Sequence, residues 1–150
     1  MRVKYRYLLG YLLHPDSSTP DMSLTPQSLQ NTLMNAIQEY YGEFGLGLAM
    51  GRCKVIYLAL LTGTVLIRVP AEFEKQARVA VSSLIVVNSR RCVVNVIHVG
   101  GTIRSCQKEL VKHNVNALHR QMIDCEDEKQ RNNIKEALER TLEEIRRLTV

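Results

Sequence analysis

The residues best placed for chemistry form one run, Val99-Gly100-Gly101-Thr102-Ile103-Arg104, followed by Lys108 and Lys112. Two adjacent glycines let a backbone or a phosphate come close, and a helix starting just after them points unpaired N–H groups outward with positive polarity. Arg104, Lys108 and Lys112 recur at i, i+4 and i+8, which stacks three cations on one helix face. Glycine turn, helix start and cationic stripe together suit a nucleic-acid backbone. The same residues also describe a tight turn followed by a solvated helix face, and on these residues alone the two readings weigh equally. Arg90 and Arg91 precede the same strand and Arg68 ends an earlier one, so all three would widen a cationic footprint. The candidate RNA-binding set is Arg68, Arg90, Arg91, Gly100, Gly101, Thr102, Arg104, Lys108 and Lys112, with Arg2, Lys4 and Arg6 as weaker additions.

Other chemistries find less support. Cys53, Cys92, Cys106 and Cys125 are spaced 39, 14 and 19 residues apart, so no C-x-x-C pair exists. Buried free thiols are the expected reading, and no metal site is expected. His98 lies near Cys92 and Cys106 in sequence, which lets a Cys–His pair be imagined, but a histidine on a strand is more often structural. No H-E-x-x-H, G-x-S-x-G or phosphate-loop motif is present, and the acidic residues of the body are scattered. The sequence therefore predicts no catalytic residues of its own, no metal and no cofactor.

Charge is unevenly spread. Residues 1–123 carry 14 Lys or Arg against 7 Asp or Glu, whereas residues 124–150 carry 6 against 8. A basic body points to a polyanionic partner, as a hint and not a proof. The chain is expected to comprise a core over 1–123 and a charged C-terminal helix over 124–150. No apolar run approaches the roughly 20 residues that span a bilayer, so no membrane partner is expected.

These residues need a scaffold. Residues 3–13 alternate and read as a strand with Tyr5, Tyr7, Leu9, Tyr11 and Leu13 on one face. Thr25 can cap a helix, Pro26 suits its first position, and Leu29, Leu33, Ile37 and Tyr40 follow at helical spacing. Gly42 is expected to end that helix, and a glycine-spaced segment leads to a strand around Arg52–Leu61. Thr62-Gly63 reads as a hairpin turn into Thr64–Val69. Pro70 then opens a helix whose apolar face is Phe73, Ala77, Val81 and Leu84. Asn88–Arg91 reads as a polar turn, Cys92–Val99 as a strand, and further helices follow with stripes Val111/Val115/Leu118/Met122 and Ile134/Leu138/Leu142/Ile145.

The order strand–helix–strand–strand–helix–strand is that of the split βαβ unit. The fold class is α+β: an RRM-like, ferredoxin-like antiparallel sheet with helices, plus a C-terminal helical extension. The first strand is apolar on both faces, which predicts that the C-terminal helices or a partner protein cover the second face. The third and fourth core strands carry no aromatic residues, which counts against base stacking and favours folded RNA read by shape and phosphate.

Arg6-Tyr7-Leu8-Leu9, Phe44-Gly45-Leu46-Gly47-Leu48-Ala49, Thr62-Gly63, Ile67-Arg68-Val69-Pro70 and Val99 through Gln107 occur in one ordered set. Over roughly residues 4–113 this set resembles the small protein component 2 of archaeal ribonuclease P. The eukaryotic counterpart of that component is shared by ribonuclease P and ribonuclease MRP. The pattern departs from the family at Gly100, where serine is usual, and at Gly10, where a bulkier residue is common. The resemblance implies an RRM-like core that binds the catalytic RNA of the particle and pairs with a barrel-fold protein subunit among other basic subunits. It implies a non-catalytic part in removing 5′ leaders from precursor tRNA, and in rRNA processing for the MRP particle. The C-terminal extension resembles eukaryotic members, which implies the nucleus and its nucleolus, or the cytoplasm for an archaeal source. The alternative reading is a ferredoxin-like protein-interaction or phosphate-ligand module unrelated to RNA.

Overall fold

The computed structural model describes residues 4–15, 23–60, 63–124 and 127–147. The chain divides into two compact units, Met1–Thr102 and Ile103–Val150.

In the first unit, β1 (Tyr5–Leu13) is followed by α1 (Pro26–Ala49), β2 (Lys54–Ala59) and β3 (Thr64–Pro70). A short 3₁₀ turn (Ala71–Phe73) leads to α2 (Glu74–Ser82), the small strands β4 (Val86–Val87) and β5 (Arg90–Arg91), and β6 (Val93–Gly100). The main sheet is antiparallel with order β2-β3-β1-β6. This is the predicted split βαβ topology, in which the first strand is central because each helix crosses over a neighbouring strand.

The core forms because one face of every strand meets the two helices. Leu8 and Leu12 of β1, Val55 of β2, Val65, Ile67 and Val69 of β3 and Val94 of β6 pack with Leu29, Leu33 and Ile37 of α1 and Ala77, Ala80 and Val81 of α2. The predicted α2 face holds in full, with Phe73 and Leu84 also buried. On the opposite face of the sheet Leu9 and Leu66 are likewise buried. Thr25 caps α1 by accepting the Ser28 N–H at 3.1 Å, and Pro26 opens the helix where its missing N–H costs nothing.

Four local expectations are refined. Gly42 ends the first straight segment of α1 as expected, with φ 68° and ψ −165°, but a second helical segment follows directly across this kink and runs to Ala49. That backbone region is closed to side-chain-bearing residues, so the kink depends on glycine. Tyr40 stays exposed while Tyr41, one turn beyond Ile37, meets the Phe73 ring edge-on at 5.7 Å. Pro70 does not open α2 but ends β3 opposite Tyr5, where an outermost strand position tolerates its lack of a donor. Asn88–Arg91 is part of a small hairpin, β4–β5, whose tip residues Asn88 (φ 54°) and Ser89 (φ 65°) supply the left-handed turn that matches strand twist.

Gly10 sits at a register shift between β1 and β6. A Cβ there would come within 3.1 Å of Val94 Cγ1 and 3.2 Å of the Asn95 carbonyl oxygen. The departure to glycine at this position therefore fits tight strand packing. The turn residue Thr62 lies outside the described residues, but Gly63 has φ 67°, as a hairpin turn requires.

The second unit is a pair of packed helices, α3 (Ile103–Asp124) and α4 (Glu128–Arg147). Cys106, Leu110 and Asn114 form the most buried line of α3, one residue ahead of Gln107, Val111 and Val115. The apolar arc of α3 is wide enough for both lines, and packing selects the former. On α4, Ile145 is buried and Ile134, Leu138 and Leu142 are half-buried.

Candidate nucleic-acid interface

The predicted site residues fall into separate groups. Gly100 is buried at the end of β6 opposite Tyr7, whereas Gly101 and Thr102 are exposed. Neither glycine is among the described residues with positive φ, so a left-handed turn is not their role. At Gly101 an added Cβ would meet only Arg6 Nη1, at 3.9 Å. The position is thus open space beside a guanidinium, which is what close approach by an anion requires. Arg6, ranked below the main set from sequence, belongs beside Gly101 by this geometry, its Nη1 also donating to the Tyr5 carbonyl at 3.1 Å.

Arg68 is differently employed. Strand pairing sets it opposite Tyr7 and Lys54, and its Cζ lies 4.5 Å from the centre of the Tyr5 ring. Its Nε donates to the Arg52 carbonyl at 3.4 Å. The side chain is half-buried and held by these contacts. Arg90 and Arg91 lie on β5, half-buried and exposed respectively, and the Arg91 carbonyl is 3.4 Å from His14 Nδ1.

In the second unit, α3 begins at Ile103, directly after Thr102 in the chain. Arg104, Lys108 and Lys112 are all exposed and form no ion pair among the described residues. The structure adds a cation that spacing could not reveal. A depression of about 360 Å³ is lined by Arg104, Gln107, Lys108 and Val111 of α3 and by Ile145 and Arg146 of α4. Gln107 Nε2 donates to the Ile145 carbonyl at 2.6 Å, tying the start of one helix to the end of the other. Arg146 stands 42 residues after Arg104, and only the packing of the two helices joins them at one site.

Cys53, Cys92 and Cys106 are buried and form no disulfide among the described residues, and Cys125 lies outside them. Burial pushes the Cys53 thiol up to about 11 against the opposing pull of the Arg68 guanidinium, so the thiolate is scarce at neutral pH. His98 pairs with Leu9, six residues from Cys92 along an extended segment, which is roughly 20 Å and far beyond hydrogen-bond reach. His113 titrates below its ordinary value, first through burial and then through the Arg120 charge. Among the described residues no group of three His, Cys, Asp or Glu side chains could hold a metal, and no helix is long and apolar enough to cross a membrane.

A ferredoxin-like sheet and an appended helix pair, with cations gathered on both, define an α+β module of the RRM-like class. Its relatives make the assignment more specific. The model of the Rpp14/Pop5 family matches residues 6–111, and the chain belongs to that family. It is 33% identical over 145 residues to the human ribonuclease P/MRP protein subunit POP5, covering 94% of this chain and 88% of that one. The mouse subunit of the same name is 32% identical over 145 residues, at 94% and 85% coverage. The fission-yeast subunit of that name is 25% identical over 127 residues, at 79% and 91% coverage. Among solved structures, a chain of yeast ribonuclease MRP superposes with a TM-score of 0.53 at 15% identity. That match covers 78% of this chain and 95% of the other, and at such identity it speaks for the fold alone.

Proposed function

We propose that this chain is a non-catalytic protein subunit of a ribonuclease P or MRP particle and that it works by binding the particle's RNA. The observation that carries this reading is family membership along most of the chain, joined to Arg104, Lys108 and Lys112 on α3, which form no ion pair among the described residues. In such a particle the RNA performs the cleavage that removes 5′ leaders from precursor tRNA, or processes rRNA in the MRP form. The protein holds that RNA in its working shape. The RNA contacts are Arg68, Arg90, Arg91, Gly100, Gly101, Thr102, Arg104, Lys108 and Lys112, within a basic body spanning residues 1–123. Protein partners are a barrel-fold subunit and other basic subunits, and the place of work is the nucleus, at its nucleolus.

Cations that contact phosphates release condensed counterions, so binding weakens with salt in proportion to their number. Neutralising Arg104, Lys108 and Lys112 together is expected to lower affinity for the structured RNA at least tenfold at moderate salt. The slope of log affinity against log salt should shrink by roughly 2–3. Unchanged affinity at every salt concentration refutes the assignment of this helix face. Recovery of an RNA-free protein complex from cells, in place of a long RNA with several basic proteins, refutes the function.

A further inference from the structure

We propose that the exposed side of α1 around its Gly42 kink is the docking site for a basic segment of a protein partner, one that presents Lys or Arg beside apolar side chains. The surface is argued from α1 alone; only the setting, a particle with other protein subunits, rests on the function proposed above. The chain carries 20 Lys or Arg residues, yet none occurs from Tyr7 to Gly51. α1 lies wholly within that stretch, and its only charged residues are Glu39 and Glu43. Both are exposed and form no ion pair among the described residues. Glu72 and Glu74 of the same unit are instead neutralised by Arg52 and Arg78. An RNA backbone needs cations to replace its counterions, and this helix offers only carboxylates.

The same few residues hold the chain's two exposed aromatic rings, Tyr40 at 56% and Phe44 at 81% exposure. Every other Tyr and Phe is buried or half-buried. The kink accounts for this. Tyr41 is the residue that meets Phe73, and its Cβ lies where a side chain at Gly45 would have to stand. Gly45 and Ala49 are buried beyond it. Tyr41 and Gly45 thus fix the inward side of the bend, and the rings at positions 40 and 44 are left to water. Met50, 63% exposed, adds an adaptable apolar side chain at the helix end. Aromatic faces attract guanidinium and ammonium groups, and so do the carboxylates at positions 39 and 43. Together they select a cationic segment that also has apolar surface to bury. A second copy of this chain fits poorly, because a symmetric contact would set Glu39 and Glu43 against their own like charges.

The test places a photoreactive benzoyl-phenylalanine at Phe44 of the full chain in cells. The intact particle is isolated and irradiated, and the cross-linked species is mapped by mass spectrometry. The expected product is a peptide of another protein with Lys or Arg within a few residues of the cross-link. E39K/E43K, at exposed positions outside the proposed RNA contacts, is expected to lower its yield about fivefold, because two weak attractive pairs become repulsive. Recovery of RNA with the particle should not change. Should the lysine variant fail to assemble, E39Q/E43Q decides, with an expected loss of about twofold. A cross-link to RNA, to a second copy or to a peptide without Lys or Arg overturns the docking site. So does the absence of any cross-link, or a yield that the charge variants leave unchanged. RNA still co-purifying in those cases leaves the proposed function standing. The basic-peptide cross-link from a complex that holds no RNA supports the docking site and refutes that function.

Discussion

Arg68 and Arg104 are the same residue type in the same candidate set, yet the two units treat them in opposite ways. In the sheet unit Arg68 lies over the Tyr5 ring and donates to the Arg52 carbonyl, and Arg52 and Arg78 pair with Glu72 and Glu74. In the helix pair Arg104, Lys108 and Lys112 have no carboxylate among the described residues, and Asn114 is fully buried with neither amide atom hydrogen-bonded. A polar group committed to its own fold contributes stability, a buried one without a partner carries a free-energy cost, and an exposed cation without a partner stays solvated and open to a ligand. Arg52, Arg68 and Arg78 are tied into the fold of the first unit, whereas Arg104, Lys108 and Lys112 of the second are left to water among the described residues.

The largest effect that would sharpen this contrast is at Asn114. Burying an unpaired amide costs about 1–3 kcal/mol, and leucine keeps the same branched outline without the polar atoms. N114L is expected to stabilise the full chain by roughly 1 kcal/mol in urea unfolding, with RNA affinity unchanged. A loss of stability of that size would show that Asn114 has a partner, and the contrast would weaken.

At Arg68 the expectation has the opposite sign. R68Q removes the stacking on Tyr5 and the bond to the Arg52 carbonyl, which together are worth about 1 kcal/mol at a half-buried position. Unfolding measurements should show that loss. The salt dependence of RNA binding should change by no more than one contact, about 0.7–0.9 in slope. A change as large as that of the triple α3 variant would make Arg68 a principal RNA contact and erase the contrast with Arg104.

Much of this was legible in the sequence, and what was not has a physical cause. Strand order, the apolar face of α2 and the cap at Thr25 follow from periodicity and local chemistry, which nearby residues decide. Gly42 reads as a stop and does interrupt α1, but the helical segment beyond it was hidden. What closes that segment is capping further on, where the Met50 and Cys53 N–H groups bond to the Leu46 and Ala49 carbonyls. Pro70 misled because proline suits both a helix start and a strand end, and only pairing with Tyr5 distinguishes them. The Arg104/Lys108/Lys112 stripe was visible as a spacing. Arg146 was not, since its place beside Arg104 depends on two helices packing with start against end, and no local pattern encodes that.

The smallest effect tests the charge on α3 from within. His113 and Arg120 share that helix, and both burial and the Arg120 charge hold the imidazole below its ordinary value of about 6.5. The unfolded chain therefore takes up this proton at a higher pH than the folded one. Stability is full above about pH 6.5 and falls as pH drops below it, because protons then favour the unfolded state. H113Q should flatten that part of a melting-temperature profile between pH 7.5 and 5.5. The two causes separate by ionic strength: salt screens Arg120 but leaves burial untouched. An NMR titration of His113 at low and at high salt should give a value that rises with salt yet stays below that of an unfolded peptide. No movement would mean that burial alone sets it and that Arg120 exerts no field at His113. Movement would show that the Arg120 charge reaches His113 through a field that salt screens, and an anion approaching this part of α3 would meet the same charge.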